Sequence, residues 1–183
     1  MCAARRVAAL ATSAVITLGA CGGSSAAAVK LDGSPRIPDA EGIVKTASIN
    51  GITLDGGRRY GVSKKLMSFS TYNRKLVPLV RMIGAYAHVG LKGKTVVWIA
   101  KIGVVTRDGA GHATVQYQGD LVKVNGERLT FGDGTVLTLK NGLKPPADPN
   151  GPTYAVIDAD HHYVQGATFA PKANVQTTQD ARN

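Results

Sequence analysis

The sequence predicts an all-β protein, or β with one short helix, arranged as a small antiparallel β-barrel or curled sheet. Three observations carry that expectation: six Asx-Gly dipeptides between residues 50 and 142, the short β-rich runs between them, and a segment that resembles another further along the chain. Asn50-Gly51, Asp55-Gly56, Asp108-Gly109, Asn125-Gly126, Asp133-Gly134 and Asn141-Gly142 all tolerate the positive φ of tight hairpin turns.

The runs follow in order. Ile43 to Ile49, Ile52 to Leu54 and Tyr60 to Val62 flank the first two turns, and their apolar, often β-branched residues suit a pleated, half-buried surface. Leu76 to Ala87 departs from the pattern, with Leu76, Val77, Leu79, Val80, Met82 and Ile83 at spacings that predict a short amphipathic helix carrying Pro78 in its first turn. Thr95 to Val105 is a long apolar strand. Ala113 to Tyr117, Leu121 to Val124, Leu129 to Phe131, Val136 to Leu139 and Tyr154 to Ile157 complete the series. Strands this short and this evenly punctuated favour a sheet that curls or closes.

The chain also matches itself. Ile52-Thr53-Leu54-Asp55-Gly56-Gly57-Arg58 aligns with Leu129-Thr130-Phe131-Gly132-Asp133-Gly134-Thr135, and an ungapped continuation sets Tyr60, Val62 and Leu66 against Leu137, Leu139 and Leu143. This reads as one hairpin unit used twice, in a single barrel or once in each of two small ones, with 42–105 and 119–169 as the copies. Two hairpins that converged on similar turn chemistry are the alternative.

The first twenty residues have a different character. Arg5 and Arg6 precede an apolar run from Val7 to Leu18, too short to span a bilayer as a stop-transfer helix, and Leu18-Gly19-Ala20-Cys21 follows it. This order resembles the signal peptide and lipobox of bacterial lipoproteins. The resemblance implies cleavage before Cys21, a diacylglycerol thioether on its sulfur and often a further acyl chain on the new amino terminus. Each buried methylene contributes roughly 0.8 kcal/mol, so two or more chains anchor a protein durably. The expected organisation is therefore a signal peptide over 1–20, a lipidated tether over 21–41, a β-rich domain over 42–169 and a polar tail over 170–183, on the outer face of a cell membrane. Loss of residues 1–20 removes Cys2, Arg5, Arg6 and no acid, which takes the formal charge from +10 to +8 and leaves Cys21 as the sole cysteine. No disulfide and no thiolate metal site can then be built.

Charge is unevenly placed along the rest. Arg58, Arg59, Lys64, Lys65, Arg74, Lys75, Arg81, Lys92, Lys94, Lys101 and Arg107 lie in a stretch that contains no acid, whereas residues 108–183 carry six bases and eight acids. A segment that cannot cancel its own field attracts anions. Arg58, Arg59, Lys64, Lys65, Arg74, Lys75, Lys92 and Lys94 are accordingly the candidate contacts for anionic lipid, an anionic polymer or a partner protein. Tyr60, Phe69, Tyr72, Tyr86 and Trp98 are interleaved with them, a mixture that also suits single-stranded nucleic acid, but a secretory signal disfavours that partner. A second expectation is a carrier whose barrel holds an apolar or lipidic ligand among Leu76 to Ile83, Val96 to Val105 and Trp98.

Catalysis finds little support. Asp158, Asp160 and His162 would share one face of a strand and could hold a divalent cation, but a solvated turn explains the same residues and no fourth ligand stands out. His88 and His112 lie far off in sequence, and no Gly-x-Ser-x-Gly or His-Glu-x-x-His motif occurs. The sequence implies no cofactor and leaves the oligomeric state open.

Overall fold

The computed structural model describes residues 33–145 and 151–169. The expected signal peptide, the expected lipobox with Cys21, most of the expected tether and the tail from 170 lie outside those residues.

The described residues form ten strands: β1 (Ala40–Ser48), β2 (Gly51–Leu54), β3 (Arg59–Ser70), β4 (Ala85–Lys92), β5 (Thr95–Arg107), β6 (Ala113–Asn125), β7 (Arg128–Phe131), β8 (Val136–Thr138), β9 (Gly151–Asp158) and β10 (Tyr163–Phe169). The all-β class is as the sequence predicts, and the sheet curls until it meets itself. β1 pairs β2, β2 pairs β3, β3 pairs β5, β5 pairs β4 and β4 returns to β1, so the first five strands close a ring. Every pair is antiparallel except β3 with β5, which is parallel and departs from the antiparallel expectation.

The second half repeats the first at single-residue resolution. The pairs Val44↔Leu54, Thr46↔Thr53, Ala47↔Ile52 and Ser48↔Gly51 of β1–β2 recur as Leu121↔Phe131, Lys123↔Thr130, Val124↔Leu129 and Asn125↔Arg128 of β6–β7, with the same irregularity after the first pair. The β2–β3 pairs Ile52↔Tyr60 and Thr53↔Arg59 recur as Leu129↔Leu137 and Thr130↔Val136. Leu91↔Val96 and Lys92↔Thr95 of β4–β5 recur as Ile157↔Val164 and Asp158↔Tyr163 of β9–β10, again with a matching bulge. Even the parallel closure recurs: Val62↔Val96 corresponds to the bridge Leu139↔Val164. The duplicated hairpin visible in the sequence is thus part of a duplicated five-strand ring. The two Asn-Gly dipeptides are not equivalent, because Ile49-Asn50 form the first loop and Gly126-Glu127 the second.

Each ring is filled by its own side chains. Val44, Ile52, Leu54, Met82, Val89, Val96 and Ile99, all fully buried, occupy the first, and Leu121, Leu129, Phe131, Ile157 and Val164 occupy the second. A one-residue bulge at Val97 inverts the alternation of β5, so Val96 and Ile99 face the first core while Trp98, Ala100 and Ile102 face the second. Burial on both faces explains why this strand reads as a continuous apolar run. Gly103 lies where β5 leaves the first ring, and a Cβ there would come within 2.9 Å of the Gln116 carbonyl.

Two expectations are corrected. Leu76 to Ala87 is no helix: only Leu79–Met82 makes a single 3-10 turn after Pro78, Gly84 takes φ 80°, and Tyr86 and Ala87 enter β4. Strand β4 wins because it carries hydrogen bonds to both β1 and β5 and buries both faces, which a one-turn helix cannot do. The tether also ends earlier than residue 41, since the Arg36 amide donates to the Gly134 carbonyl at 2.7 Å and the Asp39 amide to that of Val89 at 2.9 Å.

Gly90 of β4 is a point of close approach, where any Cβ would enter the indole of Trp98. Gly166, on the second-ring strand that corresponds to β5, has no such neighbour within 4 Å. In urea denaturation, Gly90→Ala is expected to cost about 1–3 kcal/mol, whereas Gly166→Ala should stay within about 0.5 kcal/mol of the parent. Equal effects would contradict this packing.

Candidate functional site

The predicted basic residues are all exposed, but they divide into two groups. Arg58 and Arg59 sit at the turn into β3, and Lys92 and Lys94 lie at the β4–β5 turn. The two turns touch, because the Gly61 amide donates to the Lys94 carbonyl at 3.0 Å. Four residues of β3, Ser63 to Leu66, then bulge from the ladder, since Val62 pairs Val96 and Met67 pairs Trp98. Lys64 and Lys65 are displayed on that bulge beside the two turns. Arg74 and Lys75 follow the other end of β3, on the order of 20 Å away along the sheet, since Gly61 and Ser70 pair with Thr95 and Lys101 of β5. The first six residues form one basic end of the first ring and the last two do not belong to it. Of the interleaved aromatics, Phe69 and Tyr86 are core and only Tyr72 is strongly exposed, so no row of stacking rings lines the basic end.

A groove surrounds Tyr72. The side chain is 84% exposed, and three adjoining depressions of about 440, 200 and 450 Å³ all border it. Their walls come from the 70–77 loop and β5 on one side and from β6 and β9 on the other. A further depression, between Trp98, Phe69, His88 and Asp133, holds about 10 Å³ and is no larger than one water.

A buried polar chain, which sequence reasoning missed, links the two rings. Tyr86, wholly buried, donates its hydroxyl to Glu41 Oε2 at 3.0 Å and lies 3.2 Å from His162 Nδ1. With Glu41 ionised, His162 supplies the proton of the second contact. His88 Nε2 stands 3.2 Å from the same carboxylate oxygen but out of line for a hydrogen bond, and it has no other partner among the described residues. The cross-strand register places Glu41 opposite His88 and Ile43 opposite Tyr86. The second ring carries Gln118 opposite Tyr154 at the place of Glu41 and His88, hydrogen-bonded at 3.0 Å and open to solvent. His162 takes φ 61°, a strained conformation for a residue with a Cβ; its amide is held by the Asp158 carbonyl at 2.8 Å.

These surroundings set the ionisation of the group. Burial raises the Glu41 pKa, but the His88 imidazole and the Tyr86 hydroxyl outweigh it, and the net value falls below the ordinary 4.5. Burial, followed by the Glu41 charge, pushes the Tyr86 phenol far upward, so it stays protonated.

Asp158, Asp160 and His162, weighed above as a candidate cation set, are dispersed. Asp158 ends β9 instead of continuing a strand, and its oxygens accept from the amides of Asp160 and His161 and from the His161 ring. Asp160 accepts from the Ala113 amide, and His162 turns toward Tyr86. Among the described residues no group of three or more His, Cys, Asp or Glu is placed to hold a metal ion. His112 is exposed beside Asp108.

A carboxylate whose folded pKa lies below its unfolded value adds stability that is complete above about pH 4.5 and is lost as pH falls through the folded pKa. Glu41→Gln is therefore expected to lower stability at pH 7 by about 1–3 kcal/mol and to flatten the loss of stability between pH 5 and pH 3. Urea melts across that range check it; an acid limb as steep as the parent's would remove Glu41 as its source.

The chain matches no protein-family profile, no curated protein sequence and no solved structure.

Proposed function

We propose that the protein is a non-catalytic binding module of the bacterial cell envelope, anchored through acylated Cys21 on the outer face of the membrane, whose basic end engages anionic lipid or an anionic polymer. The observation that carries this reading is the meeting of two turns and a bulge that gather Arg58, Arg59, Lys64, Lys65, Lys92 and Lys94 at one end of the first ring. A position in the ring that could have continued the ladder is instead looped out to present two lysines. The carrier alternative is disfavoured by interiors already occupied by side chains. The buried chain of Glu41, Tyr86 and His162 lines none of the open grooves, which favours a structural role over a catalytic one.

Each basic residue near an anionic surface contributes roughly 1 kcal/mol at moderate salt, and screening shortens its reach from about 10 Å at 0.1 M to about 3 Å at 1 M. A Cys21→Ser chain, which cannot be acylated, is expected to sediment with anionic but not neutral vesicles at low salt and to release as salt rises. Reversal of Arg58, Arg59, Lys64 and Lys65 to Glu should weaken that attachment at least tenfold. Attachment that survives the reversal would place the binding surface elsewhere. In cells, Cys21→Ser should abolish incorporation of labelled fatty acid, and retained label would refute the anchor.

A further inference from the structure

We infer that the groove around Tyr72 is a second binding site, separate from the basic end, and that it takes a hydroxyl-rich glycan chain carrying acidic sugar units. Tyr72 leaves 84% of its surface in water, yet the loop that presents it is pinned. Ser70 donates its amide to the Lys75 carbonyl at 2.9 Å, both the amide and the hydroxyl of Thr71 bond the Lys101 carbonyl, and Asn73 Oδ1 accepts from the Lys75 amide at 3.1 Å. Arg74 closes the loop at φ 53°. An apolar ring held out on a fixed loop is prepared to stack against something.

Across the groove stands Tyr154, 54% exposed, its hydroxyl fixed by Gln118 at 3.0 Å. The two rings face a depression whose walls carry Gln116 and Gln118 of β6, and Asn73 of the loop borders the adjoining one. An amide presents a donor and an acceptor together, which matches a sugar hydroxyl that is also both. Flat tyrosine rings match the C–H faces of pyranoses.

The distribution of charge decides between polymers. Arg81 and Lys101 border the depression on one side of Tyr72, the centre by Gln116 and Tyr154 is neutral, and Asp120 borders the depression on the other side. A nucleic acid, charged at every unit, would set a phosphate against Asp120. A glycan with acidic units spaced by neutral ones can place a carboxylate by Lys101 and Arg81 and hydroxyls by Asp120. None of these residues belongs to the basic end, so the two sites can fail independently.

The test uses the full Cys21→Ser chain and titration calorimetry with three probes: a hyaluronan hexasaccharide, which alternates uronic acid with N-acetylglucosamine, a neutral chitin hexasaccharide and oligo(dT). Hyaluronan should bind, chitin at least fivefold more weakly, and Tyr72→Ala and Lys101→Gln should each weaken hyaluronan at least tenfold. Both substitutions lie outside the buried cores, and unchanged urea midpoints will establish that the variants fold. The Arg58, Arg59, Lys64 and Lys65 reversal should leave hyaluronan affinity within twofold. Four results would overturn the inference: no hyaluronan binding, binding indifferent to Tyr72→Ala, binding lost only in the basic-end reversal, or oligo(dT) held equally well through Tyr72, which would assign the groove to nucleic acid.

Discussion

The parallel contact of β3 with β5 is the constraint on which the rest of the structure depends. β1, β2 and β3 make a plain meander, and β4 and β5 make a plain hairpin. Neither can bury its apolar face alone, because two or three strands leave both faces and both edges in water. The pairing of Val62 with Val96 on one side and of Glu41 with His88 on the other inserts the hairpin between β1 and β3 and closes the ring. Closure then places Val44, Ile52, Leu54, Val96 and Ile99 in one dry interior. The same step, taken with Leu139 and Val164, closes the second ring.

Closure also creates the surfaces that carry the chemistry. The parallel ladder of β3 is satisfied over its two ends, and the excess chain between them must leave the sheet as the bulge that bears Lys64 and Lys65. Where β5 departs from the first ring to join β6, only Val105 to Arg107 pair across, and the two rings part around Tyr72. Gly103 permits this crossing by letting the β6 backbone approach. Binding features therefore lie where the ladder opens, and the interiors are spent on stability.

The duplicated rings have diverged in a consistent way. Positions that face the interiors keep their apolar character, as Leu54 and Phe131 or Val96 and Val164 illustrate. Positions on the outer faces have taken separate roles. The outer face of the first ring, with Tyr86, Trp98, Ala100 and Ile102, is covered by the second ring, so its cross-strand pair of Glu41 and His88 is desolvated and coupled to Tyr86 and His162. The corresponding Gln118 and Tyr154 remain in solvent at the groove. One pairing position thus supplies a buried contact between the rings in one copy and a groove wall in the other.

The sequence by itself determined the class, most of the strands and the repeated hairpin, because turn dipeptides and β-branched runs are local signals read within a few residues. It also marked the basic stretch, since the absence of acids over fifty residues needs no fold to be seen. It did not reveal β4 and β10, whose strand character comes from being gripped between neighbours distant in sequence, and it misassigned Tyr86 and Ala87 to a helix for that reason. The outcome for Asp158, Asp160 and His162 is similar: their spacing suggests one shared face, but β9 ends at Asp158 and the chain turns. That the repeat spans an entire ring, that Arg74 and Lys75 stand apart from the other bases, and that Glu41, Tyr86, His88 and His162 meet were decided only by tertiary structure. Each depends on strand register across tens of residues, and register is fixed by which faces the closed rings bury.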